Sequence, residues 1–240
     1  MRQYFEKLYK GNLEEFTCDL KEKLEKKEKS FIVTANPETL MIGEKNQEFQ
    51  KILLDEETTI TADGIGVVKG AQELGYDIHE RVTGVDIVKK LFQIANDSGK
   101  SLYLFGAKPE VVKRLAELLH EQYPGIDLLG YTDGYVKNKD DVFANIVELK
   151  PDIVLVALGI PAQELLISKY YDKFDKGIFI GIGGAFDVLS GMKKRAPKFF
   201  VKHNLEWLYR ICSEPKRMKR FYQSNIKYLK IIKDMKKEIK

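Results

Sequence analysis

One stretch, Ile153-Val154-Leu155-Val156-Ala157-Leu158, sets six apolar side chains in a row. A strand with one face in water alternates apolar and polar residues, so an uninterrupted run marks a strand buried on both faces, as in a parallel sheet covered by helices on either side. Parallel neighbours cannot be joined by a tight turn and need a crossover, usually a helix. The chain supplies that rhythm. Further strands are expected at Phe31–Thr34, in the run ending Ile60-Thr61-Ala62, at Leu102–Phe105, at Ile126–Tyr131 and at Ile178–Gly181. Helical periods fall between them: Leu13 to Glu28, two pieces from Pro37 to about Asp55, Gly64 to Leu74-Gly75, and Ile87 to Ala95. Three more follow, opened by Pro109, spanning Val142 to Leu149, and opened by Pro161. Strands alternating with helices of this length predict an α/β fold of right-handed βαβ units around a mostly parallel sheet.

After Arg195-Ala196-Pro197 the rhythm stops, and two helices are expected, Asn204 to Cys212 and Phe221 to about Glu238, with a Glu214-Pro215 break between them. The chain therefore divides into an α/β core over residues 1–196 and a basic helical appendage over 197–240. Charge follows the same line. The net +4 combines an acidic body with a tail that holds 16 Lys and Arg against 4 Asp and Glu from Lys193 onward. Such a tail faces something anionic: a phospholipid surface, a diphosphate or a nucleic acid. In the last helix Tyr222, Ile226, Leu229, Ile232, Met235 and Ile239 recur at spacings of three and four, with Lys227, Lys230, Lys233, Lys236 and Lys237 beside them. That pattern suits a helix lying in a membrane interface, and equally one docked on its own domain or on a second copy of the chain. No run of about 18 apolar residues is present, and Met1 to Lys10 lacks the apolar core of a signal peptide. Cys18 and Cys212 form neither a disulfide framework nor a metal-ligand spacing, which fits a reduced compartment. The expected location is the cytoplasm.

Several chemistries lack their motifs. There is no G-x-x-x-x-G-K-[ST] loop, no G-x-S-x-G elbow and no Asp-x-Asp pair, and Gly64 to Gly70 misses the dinucleotide spacing by one residue. His79, His120 and His203 are scattered. What remains is a set of residues at turns after strands, where open α/β sheets bind ligands. These are Thr34 and Asn36, Asp63, Gly106-Ala107, Gln163, and Gly183-Gly184 before Asp187. Asp63 can be read as a reactive carboxylate or as an N-cap of the following helix. Glycine turns leading into helices can hold phosphate through backbone N–H groups, or can simply be turns.

Read in order, Thr34-Ala35-Asn36-Pro37-Glu38, Ala62-Asp63-Gly64-Ile65-Gly66, Glu80-Arg81-Val82-Thr83-Gly84-Val85-Asp86 and Ala157-Leu158-Gly159-Ile160-Pro161-Ala162-Gln163-Glu164 resemble the WecG/TagA/CpsF family of bacterial glycosyltransferases. Gly181-Ile182-Gly183-Gly184-Ala185-Phe186-Asp187-Val188, Lys194-Arg195-Ala196-Pro197, Leu205 to Arg210 and Glu214-Pro215-Lys216-Arg217 extend the resemblance, which runs from about Ser30 to Arg220. Met1 to Gly11 reads polar and irregular.

The resemblance implies a Rossmann-like core and a UDP-sugar-dependent transferase that works with inversion and without a metal or cofactor. Its acceptor would be a polyprenyl-diphosphate-linked sugar at the cytoplasmic membrane face, in wall teichoic acid or cell-surface polysaccharide synthesis, with N-acetylmannosamine among the donor sugars. By that resemblance Asp63 is the base, Arg81 lies in the donor site, and Thr34 and Gln163 orient substrate. Asn36, Gly106, Gly183, Gly184 and Asp187, placed at turns after strands, are expected to ring the same crevice, and by the resemblance Arg210, Arg217 and Arg220 of the appendage close over the diphosphate. Arginine suits that task through bidentate contact with phosphate oxygens. A UDP-sugar enzyme with a soluble acceptor, and a nucleic-acid-binding protein using the basic tail, are the competing readings.

Overall fold

The computed structural model describes residues 1–213 and 216–239, with the side chains at 210, 211, 213, 216, 217, 219–221 and 239 outside the description. Strands β1 (Lys29–Ala35), β2 (Thr58–Ala62), β3 (Ser101–Gly106), β4 (Asp127–Thr132), β5 (Ile153–Ala157) and β6 (Gly177–Gly181) form one sheet in the order β2-β1-β6-β5-β3-β4. Every neighbouring pair is parallel, so the sheet goes beyond the mostly parallel one expected. The helices of the core are α1 (Arg2–Glu6), α2 (Leu13–Lys26), α3 (Pro37–Gly43), α4 (Gln47–Leu54), α5 (Ile65–Glu73), α6 (Gly84–Ser98), α7 (Pro109–Gln122), α8 (Lys139–Leu149), α9 (Ala162–Tyr171) and α10 (Ala185–Leu189). The tail adds α11 (Lys198–Lys202), α12 (Glu206–Ser213) and α13 (Lys216–Ile239).

Two apolar layers sandwich the sheet. Leu40, Phe49, Val67, Phe143 and Ile167 cover one face with side chains from α3, α4, α5, α8 and α9. Leu20, Leu91, Leu115 and Phe186, from α2, α6, α7 and α10, cover the other. In β5, Val154 and Val156 point to the first layer and Ile153 and Leu155 to the second, and all five strand residues are buried. The unbroken apolar run has its cause here.

This layering locates the crevices. The chain leaves β1 and β5 for the first face, through α3 and α9, and leaves β6, which lies between them, for the second face through α10. Neighbouring strands whose connections part to opposite faces leave an opening at their carboxyl ends. Both sides of β6 have one.

The N-terminal segment differs from its polar reading. Tyr4 and Phe5 of α1 are fully buried, Leu8 bridges Ile60 in parallel, and the Tyr9 N–H donates to the Ile60 carbonyl at 2.8 Å. A single helical turn is too short to show a period, and its exposed Arg2, Gln3 and Glu6 dominate the composition. The segment shields the outer edge of β2, which would otherwise offer unpaired backbone groups.

The tail also departs from a simple pattern. Tyr228 and Ile232 are buried, and Ile231 and Met235 pack partly against the first layer, whereas Tyr222, Ile226 and Leu229 are exposed at 65%, 45% and 61%. The expected stripe therefore splits into a docked face and an open one. From Ile226 to Met235 the apolar residues step by three, and each step falls about 60° short of a full turn, so the stripe rotates halfway around the helix. The docked face crosses α5 closely. Tyr228 donates its hydroxyl to the Gly66 carbonyl at 3.0 Å, and a Cβ on Gly70 would lie 2.2 Å from the Tyr228 oxygen.

Candidate active site

Asp63 stands directly past the end of β2. Ala62, the last strand residue, pairs with Ala35 of β1, and the Asp63 and Gly64 N–H groups both donate to the Ala35 carbonyl, at 2.9 and 3.2 Å. The N-cap of α5 is Gly64, and no side chain caps that helix. Capping therefore does not account for Asp63. The glycines explain the motif around it: a Cβ on Gly64 would meet Asn36 Cβ at 2.9 Å, and one on Gly66 would meet Pro37 Cγ at 2.7 Å. Only bare backbone lets α5 begin this close to the start of α3, and Asp63 is held at that junction with its side chain 29% exposed.

Arg81 packs against it. Its Nε donates to the Asp63 carbonyl at 2.6 Å, and its Nη2 lies 3.9 Å from Asp63 Oδ1 and 3.3 Å from Glu206 Oε2. Glu206 belongs to the tail, is buried, and sits with Oε1 3.7 Å from Arg195 Nε. Arg195 in turn grips Asp86 with two parallel bonds of 2.6 and 2.9 Å, the bidentate geometry that a guanidinium and a carboxylate favour. Burial pushes the Asp86 carboxyl up, but bonds from Arg195 and from the Thr83 hydroxyl outweigh it, and the group titrates below its usual range. Charges thus alternate from Asp63 through Arg81, Glu206 and Arg195 to Asp86, and bind the first tail helices to the core. Glu206, Arg195 and Asp86 were not singled out from the sequence. The available signals were their places in the motif stretches Glu80–Asp86, Lys194–Pro197 and Leu205–Arg210, and for Glu206 its being an acid within a strongly basic tail.

The other expected residues fall along the strand ends. Thr34 is placed between β6 and α6: its hydroxyl is 3.4 Å from the Gly181 carbonyl, and its methyl would be 3.2 Å from a Cβ on Gly84. Asn36 spends its side-chain oxygen capping α3, accepting from Glu38 and Thr39 N–H. Gln163, 2% exposed, accepts the N–H groups of Gly159 and Gly183 and so ties the turn after β5 to the turn after β6. Gly184 is the N-cap of α10, and Asp187 in its first turn lies 3.5 Å from Lys193 Nζ. Gly106 has φ +122°, and a Cβ there would strike the Ala157 carbonyl at 2.3 Å, so packing of β3 on β5 accounts for it. Gly106 is four strands from Asp63, about 19 Å at the usual spacing. The residues form a row, with Asp63, Thr34, Asn36, Gly183 and Gln163 grouped around the β2-β1-β6-β5 ends. The side chains of Arg210, Arg217 and Arg220 lie outside the described residues.

Glu164, next to Gln163, is 1% exposed, and desolvation raises its carboxyl from the usual range to about 7 despite a bond from Gln163. A folded-state value above the unfolded one means that protonation favours the fold. The stabilisation is complete below about pH 4.5 and is lost as pH rises through 7. E164Q, which never ionises, should therefore match the parent in Tm near pH 4.5. At pH 8 it should be more stable, by on the order of 3 kcal/mol. A Tm difference that does not change between these pH values would rule this out.

The sequence model of the Glycosyl transferase WecG/TagA/CpsF family matches residues 6–239. Among curated proteins the chain is similar to the N-acetylglucosaminyldiphosphoundecaprenol N-acetyl-beta-D-mannosaminyltransferase of Bacillus spizizenii (39% identity over 197 residues, 82% of this chain and 76% of the relative). The proteins of the same name match at 38% in Bacillus subtilis strain 168 (85% and 80% of the two chains) and 35% in Staphylococcus aureus strain MW2 (86% and 81%).

Proposed function

The chain belongs to the WecG/TagA/CpsF glycosyltransferase family, and on that premise we propose that it transfers N-acetylmannosamine from a UDP-sugar to a polyprenyl-diphosphate-linked N-acetylglucosamine in wall teichoic acid synthesis. The observation that carries the chemistry is Asp63: a partly exposed carboxylate, not used as a cap, beside the topological switch and backed by Arg81. The relatives' shared name supports the sugar and the acceptor.

In the proposed reaction the acceptor hydroxyl gives its proton to the Asp63 carboxylate. Its oxygen forms a bond to the anomeric carbon from the side opposite the diphosphate, and the carbon–oxygen bond to UDP breaks with its electron pair leaving on the diphosphate. The configuration inverts. Arg81, held through the Asp63 carbonyl, keeps positive charge beside the reacting centre, and positioned cations of this kind stabilise a leaving group as its charge develops. We assign donor binding to residues 1–196, and membrane and lipid-diphosphate contact to 197–240. The exposed Phe199, Trp207, Leu208, Tyr222, Ile226 and Leu229, set among lysines, are the composition of an interfacial surface. Among the described residues no helix is long and apolar enough to cross a membrane, and the proposed site of action is the inner face of the cell membrane.

The test is UDP release in EDTA with a panel of UDP-sugars and a short-chain polyprenyl-diphosphate-N-acetylglucosamine. Release should require the acceptor and select UDP-N-acetylmannosamine. Release with another donor alone would correct the sugar, loss in EDTA would overturn the metal-independent chemistry, and silence with every donor would reject the reaction.

A further inference from the structure

The turns after β5 and β6 share one acceptor atom. Gln163 Oε1 takes the Gly159 N–H at 3.1 Å and the Gly183 N–H at 3.0 Å. At the other end of the amide, Nε2 donates to Glu164 Oε1 at 2.7 Å. An amide can be turned end for end within nearly the same volume, so its orientation is decided by its partners. Two donors demand the oxygen on one side, and Glu164 supplies the acceptor on the other. Room for the pair comes from Gly181, where a Cβ would lie 2.6 Å from both Gln163 Nε2 and Glu164 Oε1.

The arrangement is costly to the fold. Glu164 Oε2 is buried with no hydrogen-bond partner, and an unpartnered polar atom in the interior destabilises relative to an apolar side chain of similar size. Packing alone would be better served by methionine or leucine. We propose that Glu164 is a positioning residue of the transfer site, fixing the Gln163 amide so that it locks the Gly159 and Gly183 turns together beside β6. This rests on the reading of that crevice as the donor pocket. Without the acceptor, Gln163 Nε2 becomes a buried donor with nothing to meet; the side chain withdraws, and the two glycine N–H groups and the turns carrying them lose their common anchor.

The experiment compares E164M, which keeps length but removes the acceptor, with E164Q, which keeps an acceptor oxygen. Amide exchange at Gly159 and Gly183 in the full chain needs no substrate. It should quicken at least about tenfold in E164M and stay near the parent rate in E164Q, as expected when a protecting bond is lost in one and kept in the other. In the transfer assay E164M should raise KM for the UDP-sugar or lower kcat about tenfold to a hundredfold, the scale of a misplaced binding wall. E164Q should recover most of that loss, and E164M should add nothing in a Q163A background. If E164M does not fold, G181A, whose methyl pushes the same pair apart, should give the same two changes. Parent-like exchange and kinetics in the folded variant, or a loss that adds fully to that of Q163A, would overturn the proposal. A parent protein inactive with every donor would instead defeat the proposed reaction, and the exchange measurement alone would then decide the role of Glu164.

Discussion

Asp63→Asn should lower the transfer rate by about 10²- to 10⁴-fold, the contribution of a well-placed general base, while leaving the fold and donor binding intact. The reason for expecting a clean result lies in how residue 63 is held. Its main chain is anchored on both sides, with the N–H on the Ala35 carbonyl and the carbonyl under Arg81 Nε, and asparagine keeps both bonds. The change removes a proton acceptor and one negative charge near Arg81, which retains Glu206. Acceptor-dependent UDP release, measured beside Tm and UDP-sugar affinity, separates the effects. A folded D63N protein that transfers within tenfold of the parent would show that the base is elsewhere.

The second large effect is expected at Tyr228. Truncating a fully buried aromatic side chain costs about 3–5 kcal/mol. Among the described side chains of α13, Tyr228 and Ile232 are buried, and Ile231 and Met235 are partly so. At about 1.5–3 kcal/mol for each fully buried side chain, the loss of Tyr228 is comparable with what these described side chains contribute together. Y228A should therefore release α13 from α3 and α5 and leave the sheet folded. Hydrogen exchange would show amides of residues 216–239 losing protection while those of β1, β5 and β6 keep theirs. Y228F, which forfeits only the bond to the Gly66 carbonyl, should cost about 1 kcal/mol. Unchanged exchange in Y228A would mean that other contacts hold the tail.

The core was legible because of where its strands lie. A strand covered on both sides needs apolar residues at every position, and β5 shows this without interruption. The place of Asp63 was legible too, but its role was not: an aspartate before a helix reads equally as a cap, and only the observed N-cap at Gly64 separates the two. The ion chain from Asp63 to Asp86 could not be seen, because Arg195 and Glu206 reach residues more than a hundred positions away and no local spacing records it. Gln163 and Glu164 are neighbours in sequence, yet their bond depends on the absent side chain of Gly181. The split face of α13 arose from a run of three-residue steps that looks like a straight stripe on paper and winds around a real helix. The single turn of α1 was too short to declare itself.

The seating of Tyr228 on Gly66 joins two ends of the molecule. Gly66 is three residues beyond Asp63, in the first turn of the helix that begins beside this proposed base, and Tyr228 lies within a helix of 24 residues, about 36 Å long. If the open face of that helix rests on a bilayer, the altitude of Asp63 above the lipid follows from how α13 is seated on α5, with Tyr228 on Gly66 and Ile232 beside it. On the proposed function the protein would then act as a gauge, holding the reacting centre at the height of a lipid-borne sugar.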